Sequence, residues 1–280
     1  MERLCALYFE LSNEERLKTM QMLDDQPLSF TGISEGLGIN SQQCSRHLTR
    51  MLEADLIAKN PDGAYSLSAY GRLMLKLTQS MEFTSRYRDY FVSHDLSRLP
   101  YEFVARIGDL SDCRFTSNVM VSISEFESII EEAEDHLWVI INKRTRSVRP
   151  FVAQAIRRGI SLRSISPTSY VPDLDVKREI SEDDELAIVR AEDEGRVMVS
   201  DADQFDVYMW ASEKTALICF PMNDGSFDYT GFISRNERAI GFCEDLFNHY
   251  WRRVNVLSRR EVVERHLAYL EHYGVHSKYC

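Results

Sequence analysis

Residues 30–67 constrain the chain more than any other stretch. The run Gly32-Ile33-Ser34-Glu35-Gly36-Leu37 predicts a short helix that stops at Gly38, the residue best suited to the positive φ that ends a helix. Asn40 then stands as an N-cap with Gln43 three residues on, a capping box that opens a second helix over 41–54. Cys44, Leu48, Met51 and Leu52 fall at the spacing of one buried stripe. Gln42, Gln43, Arg46, His47 and Arg50 fall opposite it, and Ser41 and Ser45 complete the first turns. Asn60-Pro61-Asp62-Gly63 is turn chemistry, and residues 64–67 return as a strand. A helix, a tight turn, a polar-faced helix and a hairpin predict a winged helix-turn-helix. Amides and guanidiniums on such a face can bond bidentately to adenine and guanine edges in a major groove of double-stranded DNA. The expected base contacts are Gln42, Gln43 and Arg46, and the expected phosphate contacts are Ser41, Ser45, His47, Arg50 and Lys59. A winged helix that binds a protein, as an interaction adaptor, is the competing reading, since fold alone does not decide function. Cys44 and His47 could share a helix face as metal ligands, but two ligands do not make a site and no metal is expected there.

Around this stretch the chain divides readily. At 280 residues two domains are expected, and the 44% hydrophobic content is ample for folded cores. No run is long or apolar enough to span a membrane, and the start carries no signal-peptide pattern, so a cytoplasmic protein is expected. Six widely spaced cysteines without a C-x-x-C suit reduced thiols. Ser12 with Glu15 reads as a capping box for a helix that buries Leu17, Met20 and Leu23 and ends at Pro27. Ser68 caps a further helix to about Met81, and residues 83–91 continue helical with alternating aromatic and charged residues. The domains expected are a reading head over 1–80, a helical linker over 81–113, and an α/β domain over 114–280. In the last, Ser124 is expected to cap a helix burying Phe126, Ile129, Ile130 and Ala133. The apolar run 137–141 reads as a buried strand, residues 148–158 as a helix ending at Gly159, and 160–165 as the next strand. Helix, strand, helix, strand at this spacing predicts a parallel α/β sheet within a mixed α+β chain. Residues 173–194, with ten Asp and Glu, read as an acidic surface excursion. Strands at 196–200, 206–211, 215–220 and 229–234 follow, then a long helix from Glu237 and a last one near 261–273.

Net charge is −11, which would argue against a nucleic-acid partner were it evenly spread. Residues 1–80 carry 8 Lys and Arg against 10 Asp and Glu, and the reading helix over 41–50 has two arginines and no acid. Binding should therefore be modest per head and depend on a homodimer. The aromatic-rich stretches 70–91 and 242–251 are the expected seams.

Leu11-Ser12-Asn13-Glu14-Glu15-Arg16-Leu17 with Ser45-Arg46-His47-Leu48 resembles the ArsR-type winged helix. Together with Leu99-Pro100-Tyr101-Glu102-Phe103, Asp224-Gly225-Ser226-Phe227-Asp228-Tyr229 and Asp245-Leu246-Phe247-Asn248-His249-Tyr250-Trp251, the set resembles archaeal regulators whose winged helix is joined to a methanogenesis-regulatory domain, known from filamentation regulators. That family's C-terminal domain is related to the phospholipase-D-like sensor domain of TrmB-type regulators. The resemblance implies a transcription factor with an appended sensing or dimerising domain, and no enzyme. Two departures matter. The C-x-C pair of metal-sensing relatives is missing. The phospholipase-D motif H-x-K-x-x-x-x-D has no counterpart, because the chain's H-x-K, His276-Ser277-Lys278, leaves no room for the Asp. No catalytic residue and no cofactor is expected, and a phosphoester- or nucleotide-processing enzyme tethered to DNA is kept as the alternative.

Two clusters stay open. Asn142, Lys143, Arg144 and Arg146 follow a strand and precede a helix, in a stretch with no acid between Asp135 and Asp173. That is where open α/β sheets hold ligands and helix N-termini attract anions, so a small anionic effector could bind there; a solvated basic face answering residues 173–194 is the favoured reading. His272, His276 and Cys280 could line one helical face as metal ligands, although Gly274 interrupts it.

Overall fold

A computed structural model describes residues 1–142, 148–167, 182–257 and 261, and divides the chain into two compact units, 1–82 and 83–280. The segment 81–113, expected as a separate linker, is therefore mostly part of the second unit: Phe83, Tyr90, Leu99, Phe103, Ile107 and Leu110 are buried in its core.

Unit one opens with a helix absent from the expectations, α1 (Glu2–Leu11). Ser12 ends it, donating its backbone N–H to the Tyr8 carbonyl, and Asn13 caps α2 (Glu14–Asp25) by accepting from the Arg16 amide at 3.0 Å. The capping-box reading of Ser12 was one residue early. Met20 and Leu23 are buried as expected, whereas Leu17 is only partly so and Arg16 and Thr19 are buried instead. Ser29 caps α3 (Phe30–Leu37), and Gly38 leaves it at φ +67°. The Asn40–Gln43 capping box opens α4 (Ser41–Glu53). Strands β1 (Ile57–Lys59) and β2 (Tyr65–Leu67) pair antiparallel about the turn at Gly63, φ +87°. The Ser68 hydroxyl accepts from Gly71 N at 2.8 Å and so caps α5 (Ala69–Arg86). Gly71 lets this helix run against the Leu56 carbonyl; a Cβ there would stand 1.9 Å from that oxygen.

Unit two is a seven-stranded mixed sheet with helices on both faces. Its helices and strands follow in order: α6 (Arg88–Ser93), α7 (Tyr101–Ala105), a 3-10 turn (Ile107–Leu110), β3 (Arg114–Thr116), α8 (Val119–Glu132), β4 (His136–Ile140), α9 (Arg149–Arg157), β5 (Ser161–Pro167), α10 (Glu182–Asp193), β6 (Val197–Ala202), β7 (Tyr208–Ala211), β8 (Ala216–Cys219), β9 (Gly231–Ser234) and α11 (Glu237–Trp251). Spatial order is β3-β9-β8-β7-β4-β5-β6, with β4, β5 and β6 parallel and the other pairs antiparallel. The side-chain period of two sorts each strand between two cores. Leu137 and Val139, Tyr208 and Trp210, and Leu217 and Cys219 meet α8 and α9. Ile140, Met209, Ile218 and Phe232 meet the aromatic helices α6 and α11. Beyond α11, residues 255–257 run along β6: Leu257 N donates to Val199 O at 3.0 Å, and Ser200 Oγ donates to Asn255 O at 2.6 Å.

Three further expectations need correction. The N-cap of α8 is Asn118, not Ser124, because the apolar residues 119–121 extend the helix one and a half turns upstream. Residues 182–193 of the acidic segment form α10, with Ala191 fully buried, rather than a surface excursion; residues 173–181 lie outside the described ones. Much of the aromatic content expected to form seams over 70–91 and 242–251 is turned inward. Phe83, Tyr90, Phe242 and Phe247 are buried within unit two, which consumes the rings that looked surplus in the sequence. Lys143, Arg144, Arg146, His272, His276 and Cys280 fall outside the described residues, as does the last expected helix except Glu261. Among the described residues no helix is long and apolar enough to cross a membrane.

Candidate nucleic-acid interface

The outer face of α4 carries Ser41, Gln42, Gln43, Ser45, Arg46 and Thr49, all exposed, over the stripe Cys44, His47, Leu48 and Met51. The capping box partly commits Gln43, whose Oε1 accepts from Asn40 N at 3.4 Å, leaving its amide NH2 outward. Gln42 and Arg46 are not so engaged. Thr49, which the sequence reading passed over, joins them: 42, 45, 46 and 49 have the i, i+3, i+4, i+7 spacing of one helical face. Lys59 stands at the hairpin with its Nζ 5.6 Å from the Tyr65 ring centroid, a cation–π contact that holds the stem and leaves the charge exposed.

Two expected phosphate contacts are withdrawn by the geometry. His47 is 8% exposed on the inner side of α4, where burial first and the Arg16 charge second hold its pKa below the ordinary value. A neutral ring in the core offers no cation to a phosphate. Arg50 is turned back onto α1, donating Nε to Glu10 Oε2 at 3.1 Å and Nη2 to Glu10 Oε1, with its guanidinium 4.8 Å over Phe9. The Glu10 carboxylate is also 3.3 Å from Arg16 Nε, and Arg16 caps α1 through bonds of 2.7 Å to the carbonyls of Phe9 and Glu10. The hydrogen bond from Arg50, aided by the Arg16 charge, holds the Glu10 carboxyl below the usual range. This clamp joins α1 to α2 and to the reading helix α4. Glu10 carried no signal in the sequence beyond being an acid outside the motif.

Cys44 is buried, with its thiol pushed up by desolvation, and sits with His47 inside the core. Among the described residues no group of three or more His, Cys, Asp or Glu side chains comes together as a metal site.

In unit two, Asn142 follows β4, with its Oδ1 accepting from the Tyr229 hydroxyl at 3.4 Å. Tyr229 holds φ +59°, which is uncommon for a residue with a Cβ. The neighbouring Asp228 belongs to another network. His94 is buried and stacked on Tyr90, ring centroids 3.6 Å apart. Its Nδ1 lies 2.8 Å from the Tyr90 carbonyl and its Nε2 lies 3.3 Å from Asp228 Oδ1. Ser93 Oγ, 3.0 Å from Nδ1, completes the composition of a Ser-His-Asp triad. The chemistry does not follow, because Nδ1 must carry its hydrogen to the Tyr90 carbonyl and cannot accept the serine proton. Ser93 Oγ is itself bonded to the Tyr90 carbonyl at 2.9 Å. No catalytic role is read here.

A family profile described as a helix-turn-helix domain matches residues 11–60, less than a fifth of the chain. None of the curated proteins compared with the chain matches it. Among solved structures, the chain is similar to TrmBL2, described as an archaeal chromatin protein with a novel mode of DNA binding. The identity is 12%, covering 88% of this chain and 94% of that one, with a TM-score of 0.41. It is also similar to Nuc of Salmonella typhimurium, a phospholipase D family member (10% identity, 48% of this chain and 90% of that one, TM-score 0.32). NucT from Helicobacter pylori stands alike (10%, 52% and 98%, TM-score 0.36). With TM-scores below 0.5, none of these likenesses carries an argument about this chain. Residues 11–60 are thus a helix-turn-helix domain, and its second helix, α4, presents an uncommitted polar face.

Proposed function

We propose that the chain is a sequence-specific, DNA-binding transcriptional regulator of ArsR-like type. The observation that supports it is the outer face of α4, where Gln42, Ser45, Arg46 and Thr49 stand exposed with no acid among them, in a chain of net charge −11. Gln42 and Arg46 read base edges, Gln43 assists through its amide nitrogen, and Ser41, Ser45 and Lys59 hold phosphates. The enzyme and adaptor readings have no observation that favours them.

The acting form is a homodimer. The exposed apolar residues Tyr70, Leu73 and Leu77 lie at i, i+3 and i+7 on α5, and Leu4 and Tyr8 lie one turn apart on α1. A cleft of about 570 Å³ between these helices and α4 is lined by Arg3 and Arg50 on one side of the charge balance and Glu10 and Glu53 on the other. A surface with both charge signs and an apolar stripe suits a second copy of itself about a twofold axis. The second unit is the regulatory part, and a small anionic effector binds at the end of its sheet where the parallel strands finish, the end that holds Asn142.

The test is to select bound sequences from random duplex DNA and then measure binding to the selected site. Arg46→Ala should cost roughly 1–3 kcal/mol and relax selectivity at one base position. Lys59→Ala should weaken selected and random duplexes alike. If no sequence is enriched, or Arg46→Ala acts equally on all duplexes, the reading fails.

A further inference from the structure

We infer that unit two holds a binding site for a small organic anion with a flat apolar body, in the cleft bounded by Arg88, Tyr87, Phe115, Ser117, His94 and Asp228. The cleft has a volume of about 590 Å³, within the range of small-molecule sites and far larger than an inorganic ion needs. It opens at the end of β3 and the start of β9, marked by Ser117 and Thr230. Following the pairings from β4 through β7, β8 and β9 to β3, that is the same end of the sheet at which the parallel strands β4, β5 and β6 finish. Open α/β sheets place their ligands at this end.

One wall is already rigid. The Tyr90 hydroxyl accepts from Phe220 N at 3.0 Å and donates to the Thr230 carbonyl at 3.2 Å. Asp228 Oδ1 accepts from Thr230 N and Oγ1 at 2.9 and 2.8 Å. His94 Nε2 faces the same Oδ1, so the carboxylate is engaged by its neighbours rather than by the cleft. Side chains locked in this way need little ordering on binding. The next residue, Tyr229, holds the positive φ noted above, and strain of that kind collects at ligand sites.

The charge balance sets the sign of the ligand. Asp228 is turned onto His94 and Thr230, and the other ions on the cleft are Arg86 and Arg88 against Asp89, an excess of cations in a chain of −11. Hydroxyls of Ser85 and Ser117 add donors. Tyr87 and Phe115, ring centroids 5.6 Å apart, supply the surface on which an aromatic body lies. A carboxylate or phosphate head at Arg88, with a ring on Tyr87 and Phe115, uses both features. The inference rests on the second unit being the regulatory part, but the test needs no DNA, so its failure leaves the DNA reading standing.

The experiment is thermal unfolding and calorimetric titration of the full chain with benzoate, adenosine monophosphate, inorganic phosphate and benzylamine. Benzoate or the nucleotide, at about tenfold its Kd, should raise the Tm by about 3–6 °C. The two probes separate a carboxylate source from a phosphate one. Arg88→Glu, at an exposed side chain, should weaken that binding by about tenfold or more. His94→Gln, should it remain folded, should weaken it as well. Stabilisation by benzylamine in place of the anions, an Arg88→Glu protein that responds as the parent does, or no response to either aromatic anion would each overturn the inference.

Discussion

Replacing Glu10 by glutamine removes the carboxylate that turns Arg50 away from the outer face of α4. The amide is nearly isosteric, so α1 keeps its shape, and Arg16 keeps its two carbonyl bonds. Arg50 then becomes one more cation available to DNA phosphates per head. Each neutralised phosphate steepens the fall of log K with log salt by about 0.9. Between 50 and 200 mM salt one added contact per head therefore deepens the loss of affinity by about 3.5-fold, and two heads deepen it by about 12-fold. At the low-salt end the Glu10→Gln protein should bind random duplex more tightly than the parent does. Fluorescence anisotropy on a random 30-base-pair duplex across that salt range reads both quantities. Adding Arg50→Ala to Glu10→Gln should return the slope to the parent value. Parallel salt lines for the parent and the single variant would refute the clamp as a restraint on DNA affinity. Stability supplies an independent sign. A carboxyl held below its ordinary range contributes stability above the unfolded value, about 4.3, and loses it as pH falls through the lowered value. The Tm difference between parent and variant should therefore close on acidification.

The remaining predictions concern the same unit. Leu73→Glu with Leu77→Glu on the exposed stripe of α5 should leave the fold intact, turn a dimer into a monomer by light scattering, and weaken operator binding at least about tenfold through lost effective concentration. His47, neutral in the fold, is expected to gain a proton on unfolding below about pH 6.5, so parent stability should fall between pH 7 and 5. His47→Gln should flatten that slope in denaturant titrations at the two pH values. Gly71→Ala should cost about 1–3 kcal/mol or more, because the new methyl meets a backbone carbonyl rather than a flexible side chain; an unchanged Tm would show that α5 can move aside.

Local chemistry was legible in the sequence where one signal had one meaning. The Gly38 stop, the Asn40–Gln43 capping box, the turn at Gly63 and the buried run of β4 all lie where residue type alone puts them. Ser12 and Asn13 are both good caps, and only the presence of α1 decides between them. The inner place of His47 was encoded, since 44, 47, 48 and 51 make a better i, i+3, i+4, i+7 stripe than the one drawn without it. The polar character of imidazole hid that. The strand order of unit two, with β3 carried across to β9 and β7 laid antiparallel on β4, joins residues 69 to 119 positions apart, and no local pattern reports it. The same holds for the clamp from Glu10 to Arg50 and the pairing of His94 with Asp228, which exist only once distant segments have met.

The short run 255–257 along β6 has a consequence for assembly and for engineering. An uncovered edge strand is a template on which another chain can add. Here the polypeptide lays its own backbone on that edge, through Leu257 N to Val199 O and the bridge between Ser200 and Val256. The far edge, β3, is only three residues long. The sheet is thus bounded by its own chain on one side and by brevity on the other, which disfavours growth into fibrils. A truncation ending at Trp251 would leave β6 bare, and an expression clone meant to stay soluble should extend at least through Leu257.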